Sequence, residues 1–150
     1  ALAMLADRCG DDDWMLVHDA ARPCVPLDAL TRLKEHLRDD PVGGILAIPV
    51  ADTLKRDDRE ADAPRVLATE PRGHLWLAQT PQMFRFGVLR RAFASPAALA
   101  CTDEAQAVEA LGLRPRLILG SPKNLKITYP ADLALAAAIL AAQRKEGETS

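Results

Sequence analysis

The sequence lacks a marked excess of charge of either sign. Its 19 lysines and arginines stand against 21 aspartates and glutamates, so its net field would not attract nucleic acid or an anionic membrane surface. A long apolar run is also missing, because the most continuous one, residues 133–142, is about half the length that crosses a bilayer. No charged-then-apolar segment precedes a cleavage site. We therefore expect a cytoplasmic protein without nucleic-acid or membrane partners.

Cysteines are few and do not form pairs along the sequence. Cys9, Cys24 and Cys101 are widely spaced, and there is no Cys-x-x-Cys motif. This pattern argues against a disulfide framework and against a zinc site. We expect three reduced thiols that pack as small hydrophobic side chains.

Strand-like and helix-like patterns alternate along the 150 residues, of which 49% are apolar. Strands are predicted at 14–17, 45–50, 116–119 and 125–128, where short apolar or β-prone runs occur. Helices are predicted at 1–9, 26–37, 85–93, 103–111 with Thr102 as N-cap, and from Pro130 onward. The alternation predicts one α/β domain with a mostly parallel sheet between helical layers.

Residues 51–77 have a different character from the rest of the chain. Two short alternating segments, 53–56 and 65–69, flank a polar and acidic turn at 57–62. They predict a two-stranded arm. Because an isolated hairpin is marginally stable in water, we expect this arm to rest on a second subunit in a homodimer.

The most informative stretch is His-Asp-Ala-Ala-Arg-Pro at residues 18–23. It directly follows the first predicted strand, and open α/β sheets bind ligands at the carboxyl ends of their strands. The local sequence also allows a plainer, purely structural interpretation, in which Asp19 caps the loop and Arg22 pairs with it at the surface. His18 and Asp19 are not expected to form a catalytic dyad, because neighbouring strand residues point to opposite faces.

This hexapeptide is similar to a signature of the 2-C-methyl-D-erythritol 4-phosphate cytidylyltransferase family. Five further segments resemble that family in the same order: Gly-Gly-Ile-Leu-Ala at 43–47, Asp-Thr-Leu-Lys at 52–55, Leu-Trp with Gln-Thr-Pro-Gln within 75–82, Thr-Asp-Glu-Ala at 102–105, and Asn-Leu-Lys-Ile-Thr at 124–128. The resemblance covers almost the whole chain. It implies a three-layer α/β/α nucleotidyltransferase fold and transfer of CMP from CTP to a sugar-alcohol phosphate in non-mevalonate isoprenoid biosynthesis.

The implied chemistry needs cations rather than a nucleophilic side chain. A phosphate monoester is already anionic near neutral pH, so its oxygen can attack the α-phosphorus of CTP without a Ser/His/Asp or Cys/His constellation. Positive charge is needed to hold two anions together and to stabilise the charge that builds up as pyrophosphate leaves.

The resemblance implies a role for each matched residue. Lys126 and Arg72 correspond to catalytic cations that position the reacting phosphates, and Arg72 would reach the site of the other subunit. The remaining matches are Asp19, Arg22, Thr53, Thr80 and Thr102, which are expected to bind the acceptor, and Ala20, which is expected to bind the nucleotide. Asp19 is also the expected metal contact for Mg²⁺, an ion that the nucleotide phosphates would mainly carry.

One part of the family pattern has no counterpart in the sequence. The eight glycines form no Gly-x-Gly-x-x-Gly motif, whereas the family binds triphosphate with a glycine-rich loop near its N-terminus. We therefore expect these residues to lack the N-terminal part of the sheet and to be inactive on their own. Two alternatives stay open: a ribitol-5-phosphate cytidylyltransferase, and a non-catalytic dimerisation or binding module with the same fold.

Overall fold

The computed structural model describes residues 2–59 and 62–148. Residues 60 and 61 of the predicted turn, and residue 1 of the predicted first helix, lie outside these ranges. The strands are β1 Trp14–Val17, β2 Gly43–Pro49, β3 Leu54–Asp57, β4 Val66–Glu70, β5 Trp76–Arg85 and β6 Arg116–Leu119. The α-helices are α1 Leu27–Leu37, α2 Phe86–Ala94, α3 Glu104–Glu109 and α4 Pro130–Glu148, with short 3₁₀ helices at Leu2–Leu5 and Pro96–Ala100.

Four of the strands form one sheet in the order β1-β5-β2-β6. Strands β2 and β6 are parallel, whereas β5 is antiparallel to both β1 and β2. Three strands therefore share one direction, which confirms the predicted α/β fold, and β5 is the exception. The sequence pattern does not predict β5, because Gln79, Pro81 and Gln82 interrupt its apolar run.

Side chains of β2 alternate between two cores, one on each face of the sheet. Ile45 and Ala47 pack in a cluster that α2 and α3 supply. Leu46 points to the other face and packs in a cluster with Leu33 and Leu37 of α1. Helices thus cover both faces, as the three-layer arrangement requires.

Glycine at position 43 is required where β2 begins beside β5. Its φ is 123°, a backbone conformation that residues with a Cβ rarely adopt. A Cβ at this position would also collide with the carbonyl oxygen of Met83. Position 43 therefore has neither the conformation nor the space for a larger residue.

The predicted strand at 125–128 is wrong. The backbone N–H groups of Thr128 and Tyr129 both donate to the Asp132 carboxylate, at 2.9 and 2.8 Å. Asp132 lies in the first turn of α4, so these bonds turn the chain into that helix instead of leaving it free to pair in the sheet. Lys126 therefore lies on an irregular loop after β6, and not on a strand.

Two predicted helix starts are also wrong. Asp103, not Thr102, is the N-cap of α3, because its carboxylate accepts from the N–H of Gln106 at 2.8 Å. Among residues 2–9, the helical segment is a 3₁₀ helix at Leu2–Leu5, and none of its residues is buried. Short helices gain most of their stability from packing, so the predicted nine-residue helix has too little support.

Strands β3 and β4 pair antiparallel in a two-stranded sheet of their own, with Leu54 opposite Glu70 and Lys55 opposite Thr69. The Arg56 guanidinium binds the Glu70 carboxylate across this pair, which raises the pKa of Arg56. The role of these strands as a dimerisation arm stays a prediction. Within the described part of the chain, no helix combines the length and apolar character needed to span a membrane.

Leu33 and Leu27 test the core assignment, because they lie on the same helix. Leu33 is 0% exposed and Leu27 is 77% exposed. Leu33→Ala should lower the free energy of unfolding by about 2–5 kcal/mol, because it removes buried methyl groups and leaves a cavity. Leu27→Ala should change it by less than about 0.5 kcal/mol. Urea unfolding measures both values, and equal losses would show that α1 does not pack on the sheet.

Candidate active site

A cleft of about 340 Å³ lies where the loops after β1 and β6 meet strand β5 and the start of α3. It is lined by Val17, His18, Asp19, Arg22, Ala78, Gln79, Thr80, Gln82, Thr102, Asp103, Glu104 and Lys126. Five of the predicted site residues are thus brought together from four separate segments. The carboxyl ends of β1 and β6 point to this edge of the sheet, which is where open α/β sheets bind ligands.

Asp19 and Lys126 form the charged pair of the cleft. The Lys126 ammonium lies 2.9 Å from the Asp19 carboxylate. The other carboxylate oxygen accepts from the backbone N–H of Ala21 at 3.0 Å. The hydrogen bond from Lys126, and next that from Ala21, hold the pKa of Asp19 below its ordinary value, so the carboxylate stays ionised at neutral pH.

The Thr80 hydroxyl and the His18 ring together connect both ends of the loop after β1. Thr80 Oγ1 accepts from the backbone N–H of Asp19 at 2.9 Å and lies 3.0 Å from His18 Nδ1. His18 Nε2 lies 3.0 Å from the carbonyl oxygen of Arg22. Because a carbonyl can only accept, Nε2 carries a hydrogen, and in the neutral imidazole Nδ1 then accepts from the Thr80 hydroxyl. His18 therefore contacts Thr80 and Arg22, whereas Asp19 pairs with Lys126.

Arg22 ties the loop after β1 to the loop after β6. Its guanidinium donates to the carbonyl oxygens of Asn124 at 2.7 Å and Ala78 at 3.4 Å. Burial lowers the pKa of Arg22, and the nearby Asp19 opposes this effect. The plainer interpretation is right that Asp19 caps the loop, because its carboxylate accepts from the N–H of Ala21, but a surface pair with Asp19 does not describe the contacts of Arg22. Arg22 is half-buried and makes its closest hydrogen bonds to backbone carbonyls.

Three buried polar side chains support the cleft, and none of them is among the predicted site residues. Asn124 donates to the Thr80 carbonyl oxygen at 2.8 Å and to Gln79 Oε1 at 3.3 Å. Gln79 donates to the carbonyl oxygen of Ser121 at 2.9 Å, and Gln82 contacts the start of α3. The sequence feature that could have indicated these residues is the pair of glutamines within the Gln-Thr-Pro-Gln segment, because a buried amide needs specific hydrogen-bonding partners.

Three predicted site residues do not line this cleft. Arg72 is exposed and lines a separate cavity of about 460 Å³, beside Val50 and Trp76. Thr53 directly precedes β3, and Ala20 is exposed on the loop after β1. Within one chain, five of the predicted site residues therefore line the cleft and three lie outside it.

Asp19 is the predicted contact for Mg²⁺. Across residues 2–59 and 62–148, no group of three or more His, Cys, Asp or Glu side chains could hold a metal ion. A single carboxylate fits an ion that takes most of its ligands from water and substrate phosphates, as Mg²⁺ does. The residues present therefore suit a metal that arrives on a nucleotide.

Comparison with known proteins identifies relatives along nearly the whole chain. The family model described as "IspD: 2-C-methyl-D-erythritol 4-phosphate cytidylyltransferase" matches residues 1–142. Proteins of that name from Dechloromonas aromatica and Chromobacterium violaceum are 60% and 59% identical to this chain, over 96% and 95% of its length. A crystal structure of 4-diphosphocytidyl-2C-methyl-D-erythritol synthase is 48% identical, with a TM-score of 0.84 over 93% of this chain and 63% of that one.

The chain spans about 60% of the length of these two curated relatives. What their names say about activity therefore concerns proteins that are longer than this chain.

The charge pair gives a direct test of the cleft's electrostatics. Because the pKa of Asp19 is lower in the folded state, the pair stabilises the fold above the ordinary carboxyl pKa, and this contribution is lost as the pH falls through the folded value. Lys126→Met should raise the pKa of Asp19. Lys123→Met, which removes a cation that pairs with Glu146, should leave it unchanged. Carboxyl NMR titration measures both, and an unchanged pKa in Lys126→Met would contradict the pairing.

Proposed function

This chain belongs to the 2-C-methyl-D-erythritol 4-phosphate cytidylyltransferase family, and we propose that the protein, as its gene encodes it, transfers CMP from CTP to 2-C-methyl-D-erythritol 4-phosphate. The observation that carries this proposal is the Asp19–Lys126 pair. It lies in a cleft that Arg22, Thr80 and Thr102 also line, and all five match the family's motifs. We propose that the reaction takes place in the cytoplasm.

The proposed reaction is an in-line substitution at the α-phosphorus of CTP. A phosphate oxygen of the acceptor forms the new P–O bond, and the bond between the α-phosphorus and the bridging oxygen to the β-phosphate breaks. Pyrophosphate leaves with that electron pair. The attacking oxygen is already anionic, so no side chain has to remove a proton.

Lys126 is the proposed catalytic residue in this cleft. Its ammonium is a compact charge on a flexible stem, and Asp19 holds it at the cleft at 2.9 Å. Asp19 is itself anionic and would repel phosphate, but it can accept hydrogen bonds from hydroxyl groups. We propose that Asp19 binds hydroxyls of the sugar alcohol while Lys126 faces the phosphates, and Mg²⁺ carried by CTP would neutralise further negative charge.

The charge balance of the cleft supports a contribution from a second subunit. Arg22 and Lys126 are its lysine and arginine residues, whereas Asp19, Asp103 and Glu104 are its acids. Even the acceptor phosphate alone would meet a lining with more acids than cations, and stabilising it requires further positive charge. We propose that Arg72 and Thr53, which lie outside the cleft, enter the corresponding cleft of the partner in a homodimer.

Exposed apolar side chains support this arrangement. Val66 and Leu67 of β4 are 65% and 66% exposed, and Leu75, Trp76 and Leu77 at the start of β5 are also exposed. These exposed apolar side chains lie within one stretch of the sequence, 66–77, and large exposed apolar side chains are typical of a protein interface. A second copy that covers it would also hold Arg72 in place.

The acceptor and the role of Lys126 are tested together. The protein as its gene encodes it should release pyrophosphate from CTP with 2-C-methyl-D-erythritol 4-phosphate, at a higher kcat/KM than with ribitol 5-phosphate. Lys126→Ala should lower kcat by about 10²–10³, the scale for one preorganised charge. Lys123→Ala, outside the cleft, is the matched control and should keep wild-type turnover. A preference for ribitol 5-phosphate would establish the alternative acceptor, and a Lys126→Ala variant with most of its kcat would remove Lys126 from the mechanism.

The shared site is tested by mixing two inactive variants. Arg72→Ala and Lys126→Ala proteins are combined and allowed to exchange subunits. If Arg72 serves the partner's site, each mixed dimer has one intact site and one site with both defects. Random exchange then restores activity to about a quarter of wild type. If Arg72 serves its own subunit, every site keeps a defect and mixing restores nothing.

A further inference from the structure

Gln82 is a buried amide with a partner at each end. It lies on β5 and is 1% exposed. Its Nε2 donates to Asp103 Oδ2 at 3.0 Å, and its Oε1 accepts from the backbone N–H of Ala105 at 2.8 Å. Both partners belong to the start of α3. Removing either bond would leave a buried polar group unsatisfied, which is costly.

A chain of hydrogen bonds leads from Gln82 to Thr102. Asp103, held by Gln82 through Oδ2, caps α3 by accepting from the N–H of Gln106 through Oδ1 at 2.8 Å. The Gln106 side-chain oxygen in turn accepts from the N–H of Thr102 at 2.7 Å and from its hydroxyl at 3.1 Å. Helix α3 has only six residues, too few to be stable without such support.

The backbone of Gln82 is fixed on both sides by the sheet. It pairs with Val17 of β1 and with Ile45 of β2. Val17 is two residues before Asp19. Through its backbone, Gln82 is therefore connected to the strand that leads into the Asp19 loop. Through its side chain, it is connected to the start of α3, which directly follows Thr102.

We propose that Gln82 is a positioning residue for acceptor binding, and that its amide holds Asp103 and the start of α3 so that Thr102 faces the Asp19–Lys126 pair at a fixed distance. This inference rests on the proposed function, in which Thr102 binds the acceptor. Gln82 itself does not touch the substrate. It acts through Asp103 and Thr102.

An exchange of amide and carboxylate tests the proposal. Gln82→Glu places a carboxylate against that of Asp103, and Asp103→Asn places an amide against that of Gln82. In the double variant, the amide introduced at position 103 would still cap α3 through its oxygen, and its N–H would donate to the carboxylate introduced at position 82. The second oxygen of that carboxylate would still accept from the N–H of Ala105. The original geometry is thus restored with the donor and acceptor interchanged.

The expected result concerns KM for the acceptor, measured with the protein as its gene encodes it. Gln82→Glu should raise this KM by about tenfold to hundredfold, which corresponds to the loss of one buried hydrogen bond to a charged group. KM for CTP should stay within about twofold, since the CTP phosphates are not assigned to Thr102. The double variant should return to within about threefold of the wild-type KM. Leu33→Val, a buried change on the opposite face of the sheet, should lower stability without altering either KM.

A second measurement does not depend on activity. Amide hydrogen exchange at Thr102 and Gln106 should accelerate in Gln82→Glu and slow again in the double variant. If Gln82→Glu lowers stability alone, with unchanged acceptor KM and unchanged exchange, or if the double variant fails to recover, the positioning role is refuted. A wild-type protein that transfers CMP to neither acceptor would refute the proposed function, and the exchange data would still decide whether Gln82 holds Thr102.

Discussion

The candidate site depends on one constraint: strand β5 carries polar side chains into the interior, where each must find a hydrogen-bonding partner. A buried polar group without one costs about 1–3 kcal/mol, a large fraction of the stability of a domain. Gln79 satisfies this need with the loop after β6, Thr80 with the loop after β1, and Gln82 with the start of α3. Three loops that are distant in sequence are therefore fixed to a single strand.

The electrostatics of the cleft follow from this scaffold. Because other hydrogen bonds, those of the side chains of β5 and of Arg22, already hold the loops, the Asp19–Lys126 pair does not have to hold the site together. Lys126 lies on an irregular loop and its side chain is half-exposed, so in the proposed reaction it could leave Asp19 for a phosphate without displacing the loops. Arg22 contributes in the opposite way, because its closest hydrogen bonds are committed to backbone carbonyls. In the proposed function, Lys126 would serve the reaction, whereas Arg22 maintains the shape of the cleft.

How far the sequence predicts this structure varies from residue to residue. Residues 14–17 and 116–119 are predicted at their observed bounds because continuous apolar or alternating runs are a local signal. The leucines of α1 are similarly clear. Strand β5 is not, because the burial of Gln79 and Gln82 is possible only with partners that lie 20 or more residues away. For the site, position after β1 indicated residues 18–23, but only the family resemblance connected them with Lys126, since no local pattern reports a contact across 107 residues.

The strand order has a consequence for how the chain folds during synthesis. Strand β1 pairs only with β5 among the described residues, and Val17 lies opposite Gln82, about 65 residues later. At roughly 5–20 residues per second, the ribosome would add that much chain in about 3–13 s. During this interval the β5 partner of Trp14–Val17 is absent, and closing so long a loop is slow. Strand β1 can pair with β5 only after β5 has emerged, so the apolar segment Trp14–Val17 stays without this partner for that time and would be a natural target for a chaperone.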